Sequence, residues 1–224
     1  MADYEEHTAS SKLAGFIEKR KVAFITILIV LVCLLVGFII ASVIINNTKA
    51  KDIQALDEIT YTLTSNSSSL EDSEIELRRQ TAIEQIAAYT MKGGIVGARA
   101  NMLTADLTFQ QKKYEESAVY WKNAAVKAKK SYLAPIAYFN LAVCYEELNN
   151  SDAAAENYKI AADNEEFVLR THAKFSYGRV LESQGKYESA AEAYKDLTDN
   201  YSDSEWANLA KTRLIALQNA GKIN

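Results

Sequence analysis

The sequence predicts an all-α protein: a single N-terminal transmembrane helix followed by a solenoid of helix hairpins. Three observations carry that reading. Val22 to Ile45 is a run of 24 residues without a charge, 18 of them Val, Ile, Leu or Phe. Beyond it no segment alternates β-branched and polar residues, and the chain has 1 Pro and 8 Gly. Ala, Leu, Glu, Lys and Tyr dominate after residue 70, which suits helices. Small and aromatic residues also return together every 36 to 37 positions.

The apolar run comes first. As a helix it spans roughly 36 Å, more than the ~30 Å hydrocarbon core of a bilayer. Its aliphatic and aromatic residues each favour insertion by roughly 0.3 to 0.6 kcal/mol. A signal peptide has an apolar region of about 7 to 15 residues ending in small residues. This run is longer, and Ala41-Ser42-Val43 is a poor cleavage site. Leu31-Val32 before Cys33 matches a lipoprotein signal weakly, so an uncleaved anchor in the lipid bilayer is expected over 22–45. Lys12, Lys19, Arg20 and Lys21 precede the run, whereas only Lys49 and Lys51 follow closely. The positive-inside rule then makes residues 1–21 a cytoplasmic segment. The C-terminal part lies across a bacterial inner (cytoplasmic) membrane, in the periplasm or its equivalent.

That part, residues 46–224, carries 21 basic and 25 acidic residues. A net negative charge disfavours nucleic acid as its partner. Cys33 lies in the apolar run and Cys144 stands alone beyond it, so no disulfide closes within the outer part. Two scattered His and two Cys make no metal-ligand cluster, and no cofactor is expected. Gly93-Gly94 with Gly97 follows no strand and reads as a helix terminator rather than a phosphate loop. Glu146-Glu147 and Glu165-Glu166 read as solvated helix faces. No catalytic constellation stands out, and the chain is not expected to be an enzyme.

The repeat is carried by Trp121, Tyr158 and Tyr194. Each follows a small residue four positions earlier (Ser117, Ala154, Ala190), and an upstream small residue recurs at Ala105, Ala142 and Gly178. Lys112-Lys113, Asn149-Asn150 and Gln184-Gly185 lie between as polar breaks. The unit is a helix–turn–helix, and over residues 98–204 it resembles the tetratricopeptide repeat (TPR). In that family the small residues let the paired helices approach and the aromatic fills the space between them. The middle unit matches best, with Leu141, Ala142, Tyr145, Ala154, Tyr158 and Ala161 in register. The first departs at Thr104 and Thr108, and the usual Pro between repeats is missing.

A solenoid needs caps. After Tyr201-Ser202-Asp203-Ser204, residues 205–224 place Trp206, Ala207, Leu209, Ala210, Leu214 and Leu217 on one face, with Ser204 or Asp203 as N-cap. Before the repeats, 49–64 and 73–91 read as a helix pair joined by Ser65 to Ser73 and stopped at Lys92-Gly93-Gly94. Residues 46–97 are thus a membrane-proximal, degenerate repeat. In the apolar run, Cys33, Gly37 and Ala41 fall four apart, a spacing compatible with helix pairing and a possible homo-oligomer, and equally with chance.

What the TPR resemblance implies for binding is a concave groove lined by the first helices. By register that groove presents Arg99, Met102, Asp106 and Phe109, then Ile136, Phe139, Asn140, Val143 and Glu146, then His172, Phe175, Arg179 and Glu182. Phe109, Phe139 and Phe175 form either an apolar stripe suited to an extended or helical segment or inter-helix packing. The Lys and Asn pattern that clamps a C-terminal carboxylate in some members is absent, because Met102 and Asp106 occupy two of those places. The architecture, with Gly97 to Asp106 as its best local piece, is similar to the YfgM-like family of ancillary SecYEG translocon subunits. The Tyr201 to Ser204 ending is shared with other envelope TPR proteins, such as the Tol-Pal coordinator and outer-membrane assembly lipoproteins. The resemblance implies a scaffold whose partners are proteins or peptides: translocon subunits, envelope proteins or a periplasmic chaperone. The alternatives are a structural envelope or cell-division scaffold, an enzyme-associated or sensor subunit with a hidden ligand site, and an organelle-membrane receptor with a cytosolic TPR domain.

Overall fold

The computed structural model describes residues 9–129 and 131–224, and every regular element among them is helical. The chain divides into two compact units, residues 1–51 and 52–224. In the first, α1 (Ala9–Lys19) ends at Arg20, whose guanidinium lies 5.3 Å from the ring centre of Phe16. Residues 1–8 of the expected cytoplasmic segment lie outside the described residues. Helix α2 (Lys21–Thr64) follows, the one helix among the described residues long and apolar enough to cross a membrane. Its most apolar 18-residue window has a mean hydropathy of 3.4 and no buried residue.

The expectation of a separate helix over 49–64 does not hold: α2 runs unbroken through Asn46-Asn47-Thr48. Nothing there breaks a helix. There is no Gly or Pro, and the Thr48 hydroxyl donates to the Ile44 carbonyl at 3.0 Å within the helix.

In the second unit the end of α2 packs against α3 (Asp72–Thr90) and α4 (Gly94–Gln110) around Leu56, Ala82, Ile86, Val96, Ala100 and Leu107. A short 3₁₀ turn, Ser67–Ser69, reverses the chain between α2 and α3. Gly94, at φ 59, opens α4. Three hairpins follow, each helix packing on the next: α4 with α5 (Tyr114–Lys127), α6 (Leu133–Glu147) with α7 (Ser151–Ala162), and α8 (Arg170–Ser183) with α9 (Tyr187–Asn200). The last helix, α10 (Glu205–Asn219), covers α9 and touches α8. Its N-cap is Ser204, whose Oγ accepts from the Trp206 amide at 3.2 Å. Asn150 caps α7 in the same way, through the Ala153 amide. Pro135 sits in the first turn of α6, where no amide partner is lost.

The hairpins close by fitting a ring against a small residue. Trp121, Tyr158 and Tyr194 are buried, as are Ala105, Ala142 and Gly178. A Cβ built on Gly178 would stand 2.7 Å from the Tyr194 ring. Gly97 is tighter still, because a Cβ there would meet the Lys92 carbonyl oxygen at 1.8 Å. Thr104 and Thr108 are buried too, and their hydroxyls donate to the carbonyls of Ala100 and Thr104 within α4.

Each first helix ends alike. Lys112, Asn149 and Gly185 adopt φ values of 60, 56 and 74. Their amides reach three residues back, to Phe109, Glu146 and Glu182. The next amides, of Lys113, Asn150 and Lys186, reach five back to Thr108, Tyr145 and Leu181 at 2.9, 2.8 and 3.0 Å. This paired closure satisfies the last helical carbonyls and requires one left-handed residue. Gly221 and Lys222 repeat it at the end of α10.

In chemical unfolding of the full chain followed by circular dichroism, Gly185→Ala should cost about 1–2 kcal/mol through left-handed strain. Lys112→Gly should gain about 0.5 kcal/mol, relief of that strain being partly offset by glycine entropy. Gly178→Ala should cost about 1–3 kcal/mol by overpacking against Tyr194.

Candidate partner-binding face

The first helices α4, α6 and α8 place the sequence-predicted residues in two clusters. Nearer the start of the array, Arg99, Met102 and Asp106 line a cavity of about 260 Å³ with Leu56 and Thr60 of α2, Leu103 of α4, Trp121 of α5 and Leu133 of α6. Arg99 pairs with Asp57, and the Thr60 hydroxyl donates to the Leu56 carbonyl at 2.8 Å. Asp106 is exposed at the rim but crowded by protein, and this partial loss of hydration raises its pKa. Among the described residues it has no cation and no hydrogen-bond donor.

The second cluster joins α6, α8 and α10. The Phe139 ring lies 5.3 Å from Tyr158, 6.2 Å from Phe167 and 4.8 Å from His172. His172 stacks on Trp206 with ring centres 3.8 Å apart and planes 6° apart, and Phe175 contacts both Trp206 and Tyr194. Burial, and then the charge of Arg179, hold His172 below its usual pKa, so it is neutral at pH 7.

Of the two readings open for the three phenylalanines, stripe or inter-helix packing, two contacts favour packing. Phe139 is only 9 % exposed, wedged among rings rather than offered to a partner. Phe109 stands 37 residues before Glu146, at the glutamate position of the repeat, and packs edge-on against Tyr114 at 5.1 Å. Met102 is the residue in register with Phe139. Ile136 and Val143 are half-buried against the α6–α7 core, and Asn140 donates locally to the Ile136 carbonyl.

Two ionic triads link successive hairpins. The carboxylate of Glu146 accepts from the Tyr158 hydroxyl at 2.5 Å and from Arg179 of the next hairpin at 2.7 Å. Glu182 accepts from Tyr194 at 2.9 Å and from Arg213 of α10. Burial pushes both carboxylates up, but the hydrogen bonds from arginine and tyrosine outweigh it and hold them below the usual range. Burial and then the facing glutamate raise the two tyrosines. At the first interface Phe109, Trp121 and Val143 hold the corresponding positions, so that joint has no such triad. Ser117 instead donates to the Ala105 carbonyl at 2.7 Å and lies 3.3 Å from the Cys144 sulfur. Burial pushes the Cys144 thiol up to about 11, so it stays protonated and inert.

Sequence reasoning missed Trp206 and Arg213 as members of this face, and Leu56 and Thr60 as its wall. A signal for the first two exists: they follow His172 and Arg179 by 34 residues each. Among the described residues no group of three His, Cys, Asp or Glu is placed to hold a metal ion.

Comparison with known proteins agrees with this geometry. A tetratricopeptide repeat model matches residues 123–166 and 145–205, from α5 to α9. Over 139 residues the chain is 33% identical to a TPR repeat-containing protein of Treponema pallidum (strain Nichols), covering 62% of this chain and 58% of that protein. The chain thus spans a little over half the length of that relative. The α6–α9 hairpins match the tetratricopeptide repeat, a fold whose members serve as scaffolds for protein–protein interaction.

The triads set a pH dependence. Both glutamates have folded pKa values below the ordinary glutamate value of about 4.5, so the unfolded chain takes up protons first as pH falls. Their contribution is complete above that value and is lost as pH drops through the folded pKa. Melting temperature should therefore fall as pH drops below about 5. Glu146→Gln with Glu182→Gln should lower the melting temperature at pH 7 and flatten that fall.

Proposed function

We propose that this chain is a membrane-anchored TPR scaffold of the cell envelope, held by residues 22–45 and binding protein segments on the face of α4, α6 and α8. The observation that carries the binding role is that face itself. It keeps an open cavity and exposed charges at Asp106 and Arg179, while the spaces between paired helices are closed by Trp121, Tyr158 and Tyr194. The anchor reading rests on side chains from Val22 to Ile45 that are apolar all round and exposed, an arrangement unstable in water but suited to lipid. Lys19, Arg20 and Lys21 favour a cytoplasmic N-terminus, so the array faces the periplasm. The similarity to the YfgM-like family points to secreted proteins at the translocon, or a periplasmic chaperone acting on them, as partners. Anchoring confines the scaffold to the membrane plane and raises its effective concentration beside a channel.

In-cell photocrosslinking of the full chain from Asp106 and from Arg179 tests this. Adducts with translocon subunits, nascent envelope proteins or a periplasmic chaperone are expected, reduced severalfold by Val143→Asp. Adducts only with the chain itself would replace this reading with a self-associating structural scaffold.

A further inference from the structure

We propose that the cavity walled by α2, α4, α5 and α6 is the specificity pocket of this face, and that it takes a bulky apolar side chain of a partner protein flanked by a Lys or Arg. The inference rests on the reading that the face binds protein segments, and it adds which segment.

The walls supply the first half of the recognition. Leu56, Met102, Leu103, Trp121 and Leu133 enclose about 260 Å³, room for one large side chain rather than a continuous acyl tail. A guest there exchanges water for apolar wall, which contributes about 25 cal/mol per Å² of apolar surface covered.

The charges supply the second half. The polar groups at the mouth are already engaged, with one exception. Arg99 is paired with Asp57, and Thr60 is bonded within its own helix. Asp106 stands without a cation among the described residues, beside apolar walls that strip part of its hydration. Such a carboxylate gains when a cation is brought to it. An anionic guest would have to pull Arg99 from Asp57 and would meet Asp106 as a like charge. The cavity between α2 and α3 is a useful contrast. It is also largely apolar, at about 210 Å³, but its charged pair Arg78 and Glu74 is closed on itself at 3.3 Å, so no charge there awaits a guest.

The pocket also explains why the first joint departs from the other two. Met102 replaces the phenylalanine that fills the equivalent position in α6 and α8. Phe109, Trp121 and Val143 replace the ionic triad that bridges later hairpins. The shorter, flexible Met, which lines the cavity, leaves space that α2 walls off and leaves unfilled.

The test pans a randomised peptide display library against the full chain in lipid nanodiscs, then measures the enriched peptides by fluorescence anisotropy. Enriched sequences should place Trp, Phe, Leu or Met next to Lys or Arg. Asp106→Asn, nearly isosteric and unchanged in melting temperature, should weaken them about fivefold. Asp106→Lys should turn the preference to Glu or Asp, and Met102→Trp, which fills the cavity, should abolish binding. Enriched peptides that lack this pattern, or that bind the Asp106 and Met102 variants unchanged while Val143→Asp abolishes them, would overturn the pocket and leave the binding face standing. Peptides indifferent to all these variants, or no enrichment, would overturn both.

Discussion

The structure depends on one steric constraint: a large ring on the second helix of each hairpin must enter the space left by a small residue on the first. Gly178 and Tyr194 show it most tightly, since not even a methyl group fits between them. Helices that meet this closely bury little apolar surface per residue, and much of the core is alanine. The rings therefore supply most of the area that holds a pair together. They also supply a polar tip. Because Tyr158 and Tyr194 end in hydroxyls that must be satisfied when buried, each calls for an acceptor, and Glu146 and Glu182 provide it. Those carboxylates in turn call for cations, supplied by Arg179 and Arg213 of the next helix in line. Packing within a hairpin thus dictates the bond between hairpins.

Trp121 breaks that chain of requirements. An indole has no hydroxyl, so the first hairpin needs no glutamate at position 109 and no arginine at position 143. The joint between α4 and α6 therefore has no ionic bridge. This is also where the array meets α2 rather than another repeat, and where the family match gives out, beginning only at residue 123. The departure from the repeat pattern and the open cavity fall at the same end of the array.

Much of this was legible in the sequence. The 36- to 37-residue return of Trp121, Tyr158 and Tyr194 with their small partners defines the hairpins, since few other arrangements need that pairing at that spacing. The polar breaks mark the turns because a left-handed residue is required there, and Asn and Gly adopt that conformation most readily. Other features were not legible for physical reasons. Periodicity assigns Phe139 to the inner face of α6 but cannot say that Phe167, in a loop, folds over it. The continuity of α2 was hidden because polar residues such as Asn46 and Asn47 lower helix propensity without forbidding a helix. Phe109 shares its residue type, but not its repeat position, with Phe139 and Phe175.

The cap helix carries the last step of the argument. A terminal helix in a solenoid need only shield the apolar edge of its neighbour, and the amphipathic pattern of 205–224 predicts no more than that. In the structure α10 does more. Trp206 stacks on His172 and leans on Phe175, while Arg213 closes the Glu182 triad. It behaves as the first helix of a further repeat, spaced 34 residues from its predecessor, and so extends the proposed binding face by one helix. The face therefore runs from an apolar, acid-rimmed cavity beside α2 to a closed aromatic and ionic end at α10. A segment lying along it would meet a vacancy at one end and a filled surface at the other. That asymmetry gives the face a direction, which a stack of identical repeats would lack.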